Sequence, residues 1–106
     1  RDTPMLASFS IVPIGASEEV KHEVAAALSI VADSGLPYAL GAMQTTVEGD
    51  EAEVMALIMR CHRRVRELCP RVLTHIAIDD RAGATNRLTG KVEAVEQVLG
   101  RKLRHE

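Results

Sequence analysis

The chain has 106 residues and no interval rich in Pro, Gly or Ser, which sets the expectation of one compact domain. Hydrophobic residues make up 46% but aromatics only 2%, so the core has to be built from Val, Ile, Leu, Met and Ala. Thirteen Lys and Arg against fifteen Asp and Glu leave a formal charge of -2, too little basic field for general nucleic-acid binding. No apolar run approaches the ~20 residues of a membrane span, and no signal-peptide pattern opens the chain. A cytoplasmic protein is the expectation. The chain opens on Arg1 rather than methionine, which is compatible with an upstream segment.

Residues 5–14, MLASFSIVPI, alternate as a first strand, with Met5, Ala7, Phe9 and Ile11 facing one way and Ser8, Ser10 and Val12 the other. Pro13 and Gly15 are expected to end it. Ser17 is a suitable N-cap, with Glu18 and Glu19 at the positive end of a helix dipole, for a helix running to about Ser34. The stripe of that helix is Val20, Val24, Ala27, Leu28 and Val31, and Gly35 with Pro37 closes it.

The next stretch, YALGAMQTTVEGDE, covers residues 38–51. It reads either as a tight hairpin, strands 38–42 and 44–48, or as one strand bent at Gly41. A second helix from about Asp50 to Leu68 carries the stripe Val54, Leu57, Ile58, Cys61, Val65 and Leu68, and Pro70 stops it. RVLTHIAIDD supplies a last strand with Val72, Thr74, Ile76 and Ile78 on one face. RAGATNR is a loop. Thr85 or Asn86 then caps a closing helix with Leu88, Val92, Val95 and Leu99 on one side.

The order β-α-β-β-α-β plus a C-terminal helix predicts an α+β, ferredoxin-like split β-α-β sandwich, with both long helices on one face of a four-stranded antiparallel sheet. The other face then carries Ser8, Ser10, Val12, His75 and Ala77, neither charged enough for a solvated surface nor apolar enough for a core. Packing against a second copy would cover it and leave room for a small ligand between subunits.

Such a fold hosts many functions, so residue chemistry has to choose among them. RNA recognition needs aromatic platforms, and the strands offer only Phe9 and Tyr38. The loop PIGAS contains neither the arginine of an acyl-phosphate cradle nor the paired cysteines of a metal carrier. Cys61 and Cys69 point about 80 degrees apart on one helix, unsuited to bonding each other, and Cys61 falls mid-stripe as a small hydrophobe. His22 projects away from its helix stripe, His62 lies at a helix boundary, His75 lies on the open face and His105 lies in the tail. No nucleophile with a local base and an orienting acid can be assembled. Two sets of carboxylates, Glu48 and Asp79-Asp80, close strands. Either they serve the helix dipole and a turn, or Glu48 joins the hydroxyls of Thr45 and Thr46 to accept hydrogen bonds from a polar or cationic heterocycle.

IVPIG at the end of the first strand, YALGAMQTTVEG in the middle, and IAIDDR followed by LTGKVEAVEQVLGR near the C-terminus occur in this order along nearly the whole chain. Together they resemble the small thiamine-binding, ferredoxin-like proteins of bacteria, archaea and yeast. The resemblance implies homodimers or homotetramers through sheet packing. It also implies non-enzymatic binding of thiamine or its hydroxymethylpyrimidine part, with no cofactor or metal required. Carried over by position, the middle motif falls on Met43, Thr45 and Glu48. Ser8, Ser10 and Gln44 complete the expected ligand-binding set. Where the family often has Gly-Met-Gly-Thr, this chain has Ala42-Met43-Gln44-Thr45, a stiffer segment with an added amide. The rival expectation is a regulatory or structural oligomerisation module without a small ligand. An interface filled wholly by side chains would distinguish it.

Overall fold

The computed structural model describes residues 4–15, 21–83 and 87–103. Its elements are β1 (Met5–Ile14), α1 (Lys21–Asp33), β2 (Tyr38–Leu40), β3 (Thr45–Gly49), α2 (Glu51–Leu68), β4 (Arg71–Asp79) and α3 (Arg87–Leu99). The strands form one antiparallel sheet in the order β2-β3-β1-β4, the arrangement expected of the split β-α-β sandwich. The expected cap Ser17, with Glu18, Glu19 and Val20, lies outside the described residues, as do Thr85, Asn86 and the Leu88 side chain.

Alternation along β1 sorts the sheet into its two faces. Met5, Ala7 and Phe9 are buried beneath the helices, and the register sets them beside Gly49, Val47 and Thr45 of β3. The core closes with Ala27 and Val31 of α1 and Val54, Leu57, Ile58, Cys61 and Val65 of α2, the positions their helical spacing predicts. Leu68, expected at the end of the α2 stripe, is exposed, while Val65 and Cys69 on either side of it are buried in the core. Ile76 and Ile78, opposite Phe9 and Ala7, share the core side of β4 but remain exposed at the sheet edge.

Two turns explain the chain's course between α1 and α2. Gly35 takes φ 82, the left-handed conformation expected after a helix, while the Ser34 hydroxyl donates to the Val31 carbonyl at 2.7 Å. The stretch from Tyr38 is then a hairpin: β2 pairs with β3 from Tyr38↔Val47 to Leu40↔Thr45, and the Gly41 N–H donates to the Gln44 carbonyl at 2.9 Å across the loop. β2 is shorter than the sequence suggests because Gly41 leaves the ladder to make that closure.

β1, by contrast, spans the residues expected of it, Met5–Ile14, with Pro13 held inside the strand and pairing with β4 as far as Ile14↔Arg71. Proline is tolerated because β3 accompanies β1 only as far as Phe9, so beyond that point β1 is an edge on its β3 side.

Cys61 is fully buried and its thiol donates to the Ala27 carbonyl at 3.4 Å, tying α2 to α1. Both cysteines are free. Burial pushes the Cys61 thiol up from 9.0 to about 11. A thiol whose folded pKa lies above its unfolded value contributes stability that is complete below the unfolded pKa and is lost as pH rises through the folded one. We therefore expect the urea midpoint to fall between about pH 9 and pH 11, and the fall to vanish in Cys61→Ala. A midpoint independent of pH over that window would contradict the buried, protonated thiol.

Candidate functional site

The early end of β3 creates a notch in the sheet. β1 continues past Phe9 while the chain before Thr45 turns away into the hairpin loop, so residues Ser10–Val12 face a gap instead of a strand. A cavity of about 270 Å³ occupies this gap. Its floor is Phe9, Ile11, Ala27 and Val65, its outer wall Val24 and Leu28 of α1, and its rim Leu40–Thr45 with Ser10 and Val12. Among the described residues that line it, none carries a charged side chain.

Backbone direction follows from one hydrogen bond. The Glu48 N–H donates to the Pro37 carbonyl at 3.0 Å, so the even-numbered residues of β3 point their peptide groups towards β2 and Thr45 and Val47 point theirs towards β1. Thr45 opposite Phe9 is then a hydrogen-bonded pair. Along β1 the same orientation recurs at every second residue, at Phe9, Ile11 and Pro13. Pro13 has no N–H to lose, but Ile11 presents both an N–H donor and a C=O acceptor to the cavity, where no described strand meets them. An adjacent donor and acceptor on the wall of a largely apolar cavity can take a planar heterocycle with the reverse pair on one edge, as a strand edge takes another strand.

Of the residues singled out from the sequence, Met43, Gln44, Thr45 and Ser10 are brought together around this cavity. Thr45 is 8% exposed on the core side, while Met43 stands 85% exposed at the rim. Glu48 and Ser8 are not brought to it. Alternation puts Glu48 on the opposite face from Thr45, beside Leu6, and Ser8 beside Thr46 and Ala77 on that same face. Glu48 is only 5% exposed, and α3 packs against β3. The Glu48 and Thr45 side chains, read together from the sequence, thus lie on two faces of the sheet. Ile11 was missed as a contributor because its contribution is a peptide group, and only the unequal lengths of β1 and β3 leave it with no described strand on that side.

His22 is exposed, and His105 lies outside the described residues. His62, at the α2 boundary, shares a hydrogen bond of 2.6 Å with the Thr74 hydroxyl of β4, and His75 is exposed on the open face opposite Ser10. Among the described residues no group of His, Cys, Asp or Glu is placed to hold a metal ion, and no helix is long and apolar enough to cross a membrane.

Comparison with known proteins agrees with this architecture. A UPF0045 protein of Mycobacterium bovis is 44% identical over 96 residues, covering 90% of this chain and 94% of that protein. The solved domain of unknown function DUF77 from Bacillus cereus superposes with a TM-score of 0.78 at 30% identity, covering 85% of this chain and 88% of the other. A candidate thiamine biosynthesis/salvage protein from Thermotoga maritima shares the fold, with a TM-score of 0.77 at 24% identity over 87% of this chain and 98% of its own. The family model described as thiamine-binding protein matches residues 7–96. The chain belongs to the thiamine-binding protein family.

Proposed function

We propose that this protein binds thiamine or a related hydroxymethylpyrimidine, without turnover, in the notch between β1 and the Leu40–Thr45 hairpin loop. The observation that carries the reading is the peptide edge of Ile11, which no described strand meets, on a cavity of about 270 Å³ whose described lining residues carry no charge. An aminopyrimidine offers a ring nitrogen as acceptor beside an amino group as donor, the reverse of the N–H and C=O of Ile11. Thr45 and Gln44 supply a hydroxyl and an amide for the ring substituent, and Met43 supplies a polarizable cover at the rim. The thiazolium cation of intact thiamine finds no carboxylate among the described lining residues, which favours the free pyrimidine. Binding without chemistry accords with the two groups best suited to attack a substrate: Cys61 is sealed in the core and His62 is engaged with Thr74.

The site opens through Ser10 and Val12 towards the face that α1 and α2 leave uncovered, and we place a second copy of the chain against that face, in a cytoplasmic homo-oligomer. The test is calorimetric titration with hydroxymethylpyrimidine and with thiamine. We expect saturable binding of one ligand per chain, with the pyrimidine at least as tight as thiamine. Thr45→Val should weaken it by roughly tenfold, the scale of one hydrogen bond, and Glu48→Gln should leave it within about twofold. A folded protein that takes up neither ligand, or one that loses binding with Glu48→Gln but not with Thr45→Val, would refute this site.

A further inference from the structure

Register places four polar side chains together on the open face of the sheet. Ser8 stands opposite Thr46 of β3, and Ser10, two residues further along the same face of β1, stands opposite His75 of β4. Opposite side chains on one face are about 4.5–5.5 Å apart at Cβ and diagonal ones about 7–8 Å, so the three hydroxyls and the imidazole border one spot between Ser8 and Ser10. Among the described residues none of these four side chains has a hydrogen-bond partner. Ser8, Ser10 and Thr46 are half-buried and His75 is exposed. The charges of this face lie further off. Glu48 and Asp79 flank Leu6, one row beyond Ser8, and each already has a partner, while Arg71 stands opposite Ile14, two rows beyond Ser10. Ser10 also lines the notch, so the cavity and this polar patch meet at its side chain.

We propose that Ser8, Ser10, Thr46 and His75 bind the phosphate of a pyrimidine whose ring occupies the notch, so that the ligand is the phosphate monoester of the pyrimidine alcohol. The proposal rests on the reading of the notch given above. Three hydroxyls and an imidazole N–H can donate together to phosphate oxygens, and hydrogen bonds to an ionised acceptor are about twice as strong as neutral ones. The floor of the cavity, Phe9, Ile11, Ala27 and Val65, suits the ring, whereas the phosphate is held outside it, on the sheet face reached past Ser10. Beneath the second copy placed on this face, hydroxyls without partners are costly, and an anion accepting from all of them removes that cost. The assignment also gives a role to Ser8 and His75, which lie outside the notch. Phosphoryl transfer to the hydroxymethyl oxygen is the class of reaction that supplies such a ligand.

Calorimetric titration with hydroxymethylpyrimidine, its phosphate monoester and inorganic phosphate tests the patch. The monoester should bind about tenfold or more tighter than the alcohol, the scale of one charge-assisted hydrogen bond. His75→Ala and Thr46→Val should each lower the monoester's affinity about tenfold and leave that of the alcohol within about twofold. Inorganic phosphate should bind at least about a hundredfold more weakly than the monoester, because it gains nothing from the notch. Uptake of the alcohol with no gain from the phosphate, or a gain that survives both substitutions, would overturn the patch and leave the notch standing. Inorganic phosphate that binds as tightly as the monoester would overturn the link between patch and notch. A folded protein that takes up neither the alcohol nor the monoester would refute the notch itself, and the patch with it.

Discussion

Replacing Ile58 by alanine is expected to remove about 2–5 kcal/mol of stability, the range for a large aliphatic side chain cut back in a closed core. Ile58 is fully buried on the inner face of α2, within the cluster that joins α2 to Val31 of α1 and to Phe9 and Val47 of the sheet. The core has a single aromatic residue, Phe9, so its packing depends on branched aliphatics and on Met5, with no large ring to bridge a vacancy. Against a total of roughly 5–15 kcal/mol for a domain of this kind, such a loss brings the protein close to unfolding at moderate temperature. Met59→Ala, next along the same helix but on its exposed side, should cost under about 1 kcal/mol. Urea denaturation of both variants at pH 7 checks the pair. Equal midpoints would mean that the inner face of α2 has been wrongly assigned.

The second large effect is on binding. Gly41→Ala would set a Cβ 2.9 Å from the Gln44 carbonyl oxygen, a backbone atom that cannot swing aside, and the same carbonyl accepts the Gly41 N–H that closes the hairpin loop. The loop must open by several tenths of an ångström, and it carries Met43, Gln44 and one rim of the notch. We expect affinity for hydroxymethylpyrimidine to fall about tenfold or more, equivalent to roughly 1.4 kcal/mol or more. The strain also lowers stability by about 1–3 kcal/mol, so a control of similar stability is needed. Gly35→Ala supplies it: with φ 82 at the end of α1, an alanine there is strained by about 1 kcal/mol but touches no part of the cavity. Lost binding in Gly41→Ala with retained binding in Gly35→Ala would identify the loop closure as a determinant of the site. Equal affinities in the two variants would remove the loop from the site.

The resemblance to thiamine-binding proteins, read from IVPIG, YALGAMQTTVEG and the C-terminal motifs, is matched by the family model over residues 7–96. The order of elements was legible for a simpler reason: period-two alternation in MLASFSIVPI and a stripe at helical spacing from Val54 to Val65 are local signals that neighbours in sequence carry by themselves. The inward side chains of β1 and the buried Cys61 came from the same signals, since periodicity fixes which positions share a face.

What remained closed to the sequence was decided by relations between strands. Whether residues 38–51 bend or turn back depended on the Gly41–Gln44 closure and on β2 finding β3. Thr45 and Glu48 look like one motif because they are three residues apart, but in a strand an odd spacing places two side chains on opposite faces, and only the pairing with β1 and the burial show which of them faces the core. The notch at Ile11 has no sequence signature, because it arises from β3 being shorter than β1. The grouping of Ser8, Ser10, Thr46 and His75 likewise depends on which strands flank β1. Composition and periodicity therefore determined the elements and their inward faces, and the motifs carried the resemblance to the family. The meeting of strands of unequal length determined which peptide groups were left unpaired, because backbone hydrogen bonding depends on long-range neighbours that no local pattern encodes.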